Sequence, residues 1–145
     1  MPGNPSRLRG RRAEAFVAVA GPAMNLLIAI ACVVLFAGWN VLIASPVGAN
    51  FPDHVRSNVQ DVFWAGALLN VVLILFNMIP IPPLDGSKIV ADFSPGYARL
   101  FDGPQGQYLG LGLFIAMWLF GFGKLFEIAA MIVRSAITVL MMPFV

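Results

Sequence analysis

The stretch Asn77-Met78-Ile79-Pro80-Ile81-Pro82-Pro83-Leu84-Asp85-Gly86 decides how this chain folds. Pro80, Pro82 and Pro83 each lack a backbone donor and clash with the preceding helical turn. Each also biases the residue before it away from helix. The residues leading into the stretch, Val62 to Ile79, carry no charge and come close to the roughly 20 apolar residues that a helix needs to cross a bilayer. An apolar helix therefore runs into a segment that must unwind. Irregular backbone at membrane depth survives only where it is packed in protein or lines a wet cavity. An acidic group presented there is a functional candidate. Taken alone, Asp85-Gly86 after prolines is also ordinary turn chemistry.

Composition agrees with a bilayer as the solvent. Hydrophobic residues make up 59% of the 145 and charged residues 11%, with a mean hydropathy of +0.85. Soluble domains carry about a quarter charged residues, so there are too few charges here to cover a water-facing surface. The net charge of +2 owes much to Arg7, Arg9, Arg11 and Arg12, which precede the first apolar run. No basic surface continues from them, so nucleic acid is not an expected partner. They read instead as cytoplasmic topology charges. Cys32 is the only cysteine and reads as a small apolar residue within a span. The N-terminal stretch does not read as a signal peptide, because its apolar run is far longer than an h-region.

Working outward, the expectation is an all-α membrane protein, a single membrane-embedded domain over residues 1–145. Three to four transmembrane helices are expected, with a Pro-rich unwound segment after the second. The first span covers about residues 15–43, with Gly21-Pro22 near its start to open or kink it. The second covers 62–79, the third 107–122, and 125–143 is either a fourth span or a helix in the interface. Met1 to Arg12 and Ser45 to Asp61 read as loops, and Lys88 to Phe93 as a short helix before Pro95. Asn70 and Asn77 lie seven residues apart, close to two helical turns, so their amides share one face. An amide facing lipid is costly, so that face is expected to meet protein, water or ligand. The Arg/Lys distribution places the N-terminus and the Pro-rich turn in the cytoplasm and Ser45–Asp61 outside. Lys124 and Arg134 fit that orientation less well.

The ten-residue stretch resembles the second signature of the site-2 protease (peptidase M50) family of intramembrane zinc metalloproteases. Gly21-Pro22-Ala23-Met24-Asn25 is similar to that family's Gly-Pro-x-x-Asn element, and Pro2-Gly3-Asn4-Pro5 to the segment just before it. The likeness runs from about Pro2 to Phe93 and more loosely to Phe122. It implies a protease that hydrolyses peptide bonds in or near transmembrane segments of substrate proteins. By resemblance, Asp85 is the third Zn2+ ligand and Asn77 contacts substrate or a developing oxyanion. Gly21, Pro22, Asn25, Pro80, Pro82, Pro83 and Gly86 are the structural motif residues.

The chain departs from the family at the other ligands. A zinc hydrolase needs about three protein ligands and a general base, which an HExxH helix supplies from one face. The single histidine, His54, is followed by Val55-Arg56-Ser57-Asn58 and reads as a solvated loop residue. The expected partners are thus a transmembrane protein substrate, the lipid bilayer, and an HExxH-bearing segment or a homologous subunit. A truncated product is the leading expectation, because the resemblance starts within a connecting loop. One half of a split enzyme and a non-catalytic membrane subunit regulating a partner are the other readings. The chain alone is expected to be inactive. A transporter fragment using the broken helix as an ion site lacks the inverted partner segment.

Overall fold

The computed structural model describes residues 5–144, and side chains from residue 19 to 143. The Pro2–Asn4 element and the side chains of the four leading arginines lie outside the described part. Every regular element among the described residues is helical: α1 Pro5–Ala44, α2 Asp53–Asn77, α3 Asp85–Phe93, α4 Pro95–Phe101, α5 Pro104–Phe120 and α6 Phe122–Met141. Short 3-10 turns cover Gly48–Asn50 and Met142–Phe144.

Two helices begin earlier than their apolar runs. The helix α1 starts at Pro5, where a loop to Arg12 was expected, and continues through Pro22. Proline suits a first helical position, where its missing N–H would have no partner. Arginine, leucine and alanine are good helix formers. Within its described side chains, Val19–Ala44 is long and apolar enough to cross a membrane. Likewise, the expected Ser45–Asp61 loop ends at Pro52. The carbonyl of Pro52 accepts from the amides of Val55 and Arg56 at 3.0 and 3.1 Å. Asp53 sits in the first turn of α2, where a negative charge favours the helix dipole. His54 is exposed in that turn.

The described residues include two helices long and apolar enough to cross a membrane, Val19–Ala44 and Asp53–Asn77. The helices α5 and α6 qualify only together, as one span bent by 63° at the break between them. Three to four crossings were expected; among the described residues two helices meet the length and apolarity of a crossing, and the bent pair makes a third candidate. At about 1.5 Å per residue the 17 residues of α5 fall short of a roughly 30 Å core. In α6, Lys124, Glu127 and Arg134 interrupt the apolar sequence.

The chain divides into two compact units. One holds Met1–Met24 and Ile74–Lys124, the other Asn25–Leu73 and Leu125–Val145. In the second unit Ala29, Ala37, Ala67, Val72, Ala129 and Val133 are buried. Small side chains let membrane helices approach closely, and Cys32 there faces Gly66. The connection between α1 and α2 folds onto Trp39, whose Nε1 donates to the Arg56 carbonyl at 3.3 Å and whose ring lies 5.3 Å from that of Phe51. Asn40 accepts from Gln60 Nε2 at 2.8 Å. Asn70 donates to the Gly66 carbonyl of its own helix at 2.8 Å, so part of its polar demand is met inside α2.

The first unit is built around the Pro-rich turn. Beyond Asn77 only four residues before Asp85 carry an amide donor, and all four are used. Met78 donates to Ile74, Ile79 to Phe76, Ile81 to Ile79 and Leu84 to Ile81, at 2.9 to 3.2 Å. Pro82-Pro83 is a cis peptide. Phe76 meets the rings of Phe114 and Phe122 edge-on, at 6.0 and 6.4 Å. After Leu84, buried at 7% exposure, the chain re-enters a helix at Asp85.

Gly86 controls that re-entry. A Cβ there would collide with the Met78 carbonyl and sit 2.7 Å from the Ile79 carbonyl oxygen. Backbone cannot yield as a side-chain tip can, and overpacking of this kind typically costs about 1–3 kcal/mol. Gly86→Ala is expected to destabilise the chain by about that amount, measured by denaturant titration in detergent micelles. Gly96→Ala, at a site with nothing within 4 Å, is expected to leave the midpoint unchanged or slightly higher.

Candidate functional site

Asp85 is the first residue of α3, with Leu84 at the cap position. Its carboxylate therefore lies in the first turn of a helix, where negative charge is favoured. The side chain is 30% exposed, open enough for a ligand to reach it. Its Oδ1 accepts from Lys88 Nζ at 2.8 Å, one turn along α3. Its Oδ2 faces α1, where a Cβ placed on Gly21 would lie 3.9 Å away. Glycine leaves that side of the carboxylate free of a side chain. The next residue, Pro22, is buried within α1, and as proline it cannot donate to the carbonyl four residues upstream. The Gly-Pro element and the Asp-Gly element thus meet, a juxtaposition that sequence spacing alone does not give.

The turn is braced from two directions. The Pro82 ring rests against Gly110 of α5, whose absent Cβ would lie 3.2 Å from that of Pro82. Tyr97, on α4, donates its hydroxyl to the Pro80 carbonyl at 3.0 Å. The helix α4 is itself set by Ser94, whose Oγ accepts from the Tyr97 amide at 3.3 Å. Ser87, buried at 7% exposure, donates to the Leu84 carbonyl at 2.7 Å. Pro83 and Pro80 are exposed. A cavity of about 260 Å³ opens beside the turn, with Pro82, Lys88, Asp92, Tyr97 and Asp102 in its walls.

The other expected residues fall as follows. Asn77 ends α2 and is half-buried; its side chain has no hydrogen-bond partner among the described residues. Asn25 is also half-buried but belongs to the second unit. No group of three or more His, Cys, Asp or Glu able to hold a metal ion occurs among the described residues. Asp85 fits a metal as one carboxylate donor, reachable at Oδ2, and the described residues do not complete a three-donor group with it. Two residues of the site escaped the sequence reading. Lys88 was discoverable, because i and i+3 share a helix face. Tyr97 lies 17 residues from Pro80, and nothing local signals that contact.

Residues 4–121 match the family model of Peptidase family M50, and the chain belongs to that family. A protein of Bacillus subtilis (strain 168), named "Putative zinc metalloprotease YwhC", is 31% identical over 115 residues, which cover 79% of this chain and 49% of that protein. The chain thus spans about half the length of that relative. No solved structure matches.

Burial pushes the Tyr97 hydroxyl above its ordinary value of 10.0, and a hydrogen bond with the Ser87 side chain pulls it partly back. Burial thus favours the neutral phenol, which is the form that donates to Pro80. A raised folded value makes this contribution complete below the unfolded value and lost as pH rises through the folded one. The chain has two tyrosines. In Tyr108→Phe, the remaining phenol is expected to ionise above pH 10.0, followed by ultraviolet absorbance. Tyr97→Phe is expected to cost about 1 kcal/mol at neutral pH and to remove that part of the alkaline loss of stability.

Proposed function

We propose that this chain forms the aspartate-bearing part of the core of an intramembrane zinc endopeptidase, which cleaves substrate proteins in or near their transmembrane segments. The observation that carries the reading is the carboxylate of Asp85, held at a helix start beside a broken span, with one oxygen facing the side-chain-free surface at Gly21. Membership of Peptidase family M50 supports it.

In this reading Asp85 is the third ligand of Zn2+. Two further donors and the general base come from an HExxH-bearing segment, in cis or on a homologous subunit. Zinc, when bound, polarises a peptide carbonyl and brings the pKa of its water toward neutrality. The residues of this chain orient and admit. Gly86 and Leu84 fix the direction of Asp85, and Gly21 keeps the approach to Oδ2 open. A helical substrate has its carbonyls hydrogen-bonded, so it must unwind before cleavage. In this reading the amide of Asn77 pairs with such an opened strand or with a developing oxyanion. The protein sits in the cell membrane as a multi-pass protein, N-terminus and Pro-rich turn in the cytoplasm by the positive-inside rule.

A second reading is a non-catalytic multi-pass subunit that regulates a partner. It draws support from the Lys88 ion pair, which occupies Oδ1 of Asp85.

Zinc stoichiometry of the chain co-purified with an HExxH-bearing segment in micelles separates the two. The protease reading expects one zinc per pair, with Asp85→Ala weakening it by at least the 10–100-fold typical of losing even an outer-shell partner. Zinc binding indifferent to that substitution, or none at all, supports the subunit reading.

A further inference from the structure

The cavity beside the turn is built by three elements. Pro82 closes it from the turn, α3 supplies Lys88 and Asp92, and α4 with its C-terminal cap supplies Tyr97, Phe101 and Asp102. At about 260 Å³ it is smaller than the roughly 300–1,000 Å³ of small-molecule sites. It therefore admits one long side chain and excludes a helix, which is about 10 Å across. Its walls suit a cation in two ways. The Lys88 ammonium is engaged by Asp85 at 2.8 Å, which leaves the carboxylates of Asp92 and Asp102 in excess. Neither has an ion-pair partner among the described residues. The Tyr97 and Phe101 rings stand 4.9 Å apart in the same wall, and aromatic faces attract ammonium and guanidinium groups. Carboxylates and aromatic rings around one small space receive a cationic side chain and disfavour an anion.

Such a side chain has a source. Membrane segments carry their excess of Lys and Arg on the cytoplasmic side, the side on which the arginine count places the Pro-rich turn. We propose that the cavity is a subsite for a lysine or arginine that a substrate carries at the cytoplasmic edge of its transmembrane segment. The proposal rests on the protease reading of Asp85, whose carboxylate starts the same helix, and names a substrate feature that the reading leaves open. A cation seated against Asp92 and Asp102 holds the juxtamembrane end of the substrate beside Asp85.

The test uses the full chain in nonionic detergent micelles and a labelled synthetic apolar helix of about 20 residues ending in lysines, glutamines or glutamates. Binding is followed by fluorescence anisotropy. The lysine-ended peptide is expected to bind about tenfold more tightly than the glutamine-ended one, the scale of two partly exposed ion pairs, and the glutamate-ended one most weakly. Asp92→Asn and Asp102→Asn are each expected to weaken the lysine-ended peptide by about twofold to fivefold and to leave the glutamine-ended peptide unchanged. Asp92→Lys combined with Asp102→Lys is expected to invert the preference in favour of glutamate, which a merely structural role of these residues would not produce. Circular dichroism checks that each variant keeps its helices. Equal binding of the lysine- and glutamine-ended peptides to the unsubstituted chain overturns the subsite while leaving the protease reading standing. A lysine preference that survives the combined Asp92→Asn and Asp102→Asn substitutions overturns it as well, since the cation is then read elsewhere. Binding of none of the peptides contradicts substrate capture by this chain, and the subsite with it.

Discussion

A chain that leaves a helix beside the bilayer must find a partner for every amide it frees, since an unpaired polar group away from water is costly. The segment between Asn77 and Asp85 meets this demand largely by having few amides. Pro80, Pro82 and Pro83 have none, and the remaining four donate within α2 or the turn itself. The rest of the first unit follows from this economy. Because the turn closes on itself, its outer surface is free to be braced by Gly110 and Tyr97, and its end is free to start a new helix.

Where that new helix starts fixes the chemistry. Gly86 lets α3 begin against the backbone of Met78 and Ile79, and the residue before it is thereby the first of the helix. A carboxylate in that position is held by the helix start on one side and by Lys88 on the other. The remaining oxygen is turned to Gly21. Two glycines with different duties thus define the site: one permits the backbone approach, and the other keeps the space in front of the carboxylate clear. The membership in Peptidase family M50 gives this geometry its chemical context.

Much of this was legible in the sequence. The prolines announced the break after Asn77, the charge-free runs announced the first two spans, and Lys88 to Phe93 was read as a helix. The misjudged boundaries share a cause. Hydropathy reports the length that meets lipid, while helix extent depends on capping and propensity, so α1 and α2 reach back to Pro5 and Asp53. The break between α5 and α6 rests on one residue, Gly121, within otherwise apolar sequence, and no local pattern distinguishes it from a glycine inside a helix. At the site, Asp85 and Gly86 were visible as a pair, but turn chemistry and close backbone approach look alike in one dimension. The Tyr97 contact to Pro80 and the approach of Gly21 to Asp85 are products of folding at long range, which periodicity does not encode.

The central claim is that the Pro-rich turn delivers Asp85 to the Gly21 face of α1. Cysteine cross-linking in membranes tests it most directly, in a background where Cys32, the only native cysteine, is replaced by alanine. Cysteines at positions 21 and 85 should join rapidly through a short bis-methanethiosulfonate reagent. A 19/85 pair should not, because two residues along a helix turn the side chain to the far face. Equal cross-linking of both pairs, or none of the 21/85 pair in a chain that keeps its helical content, would contradict the account.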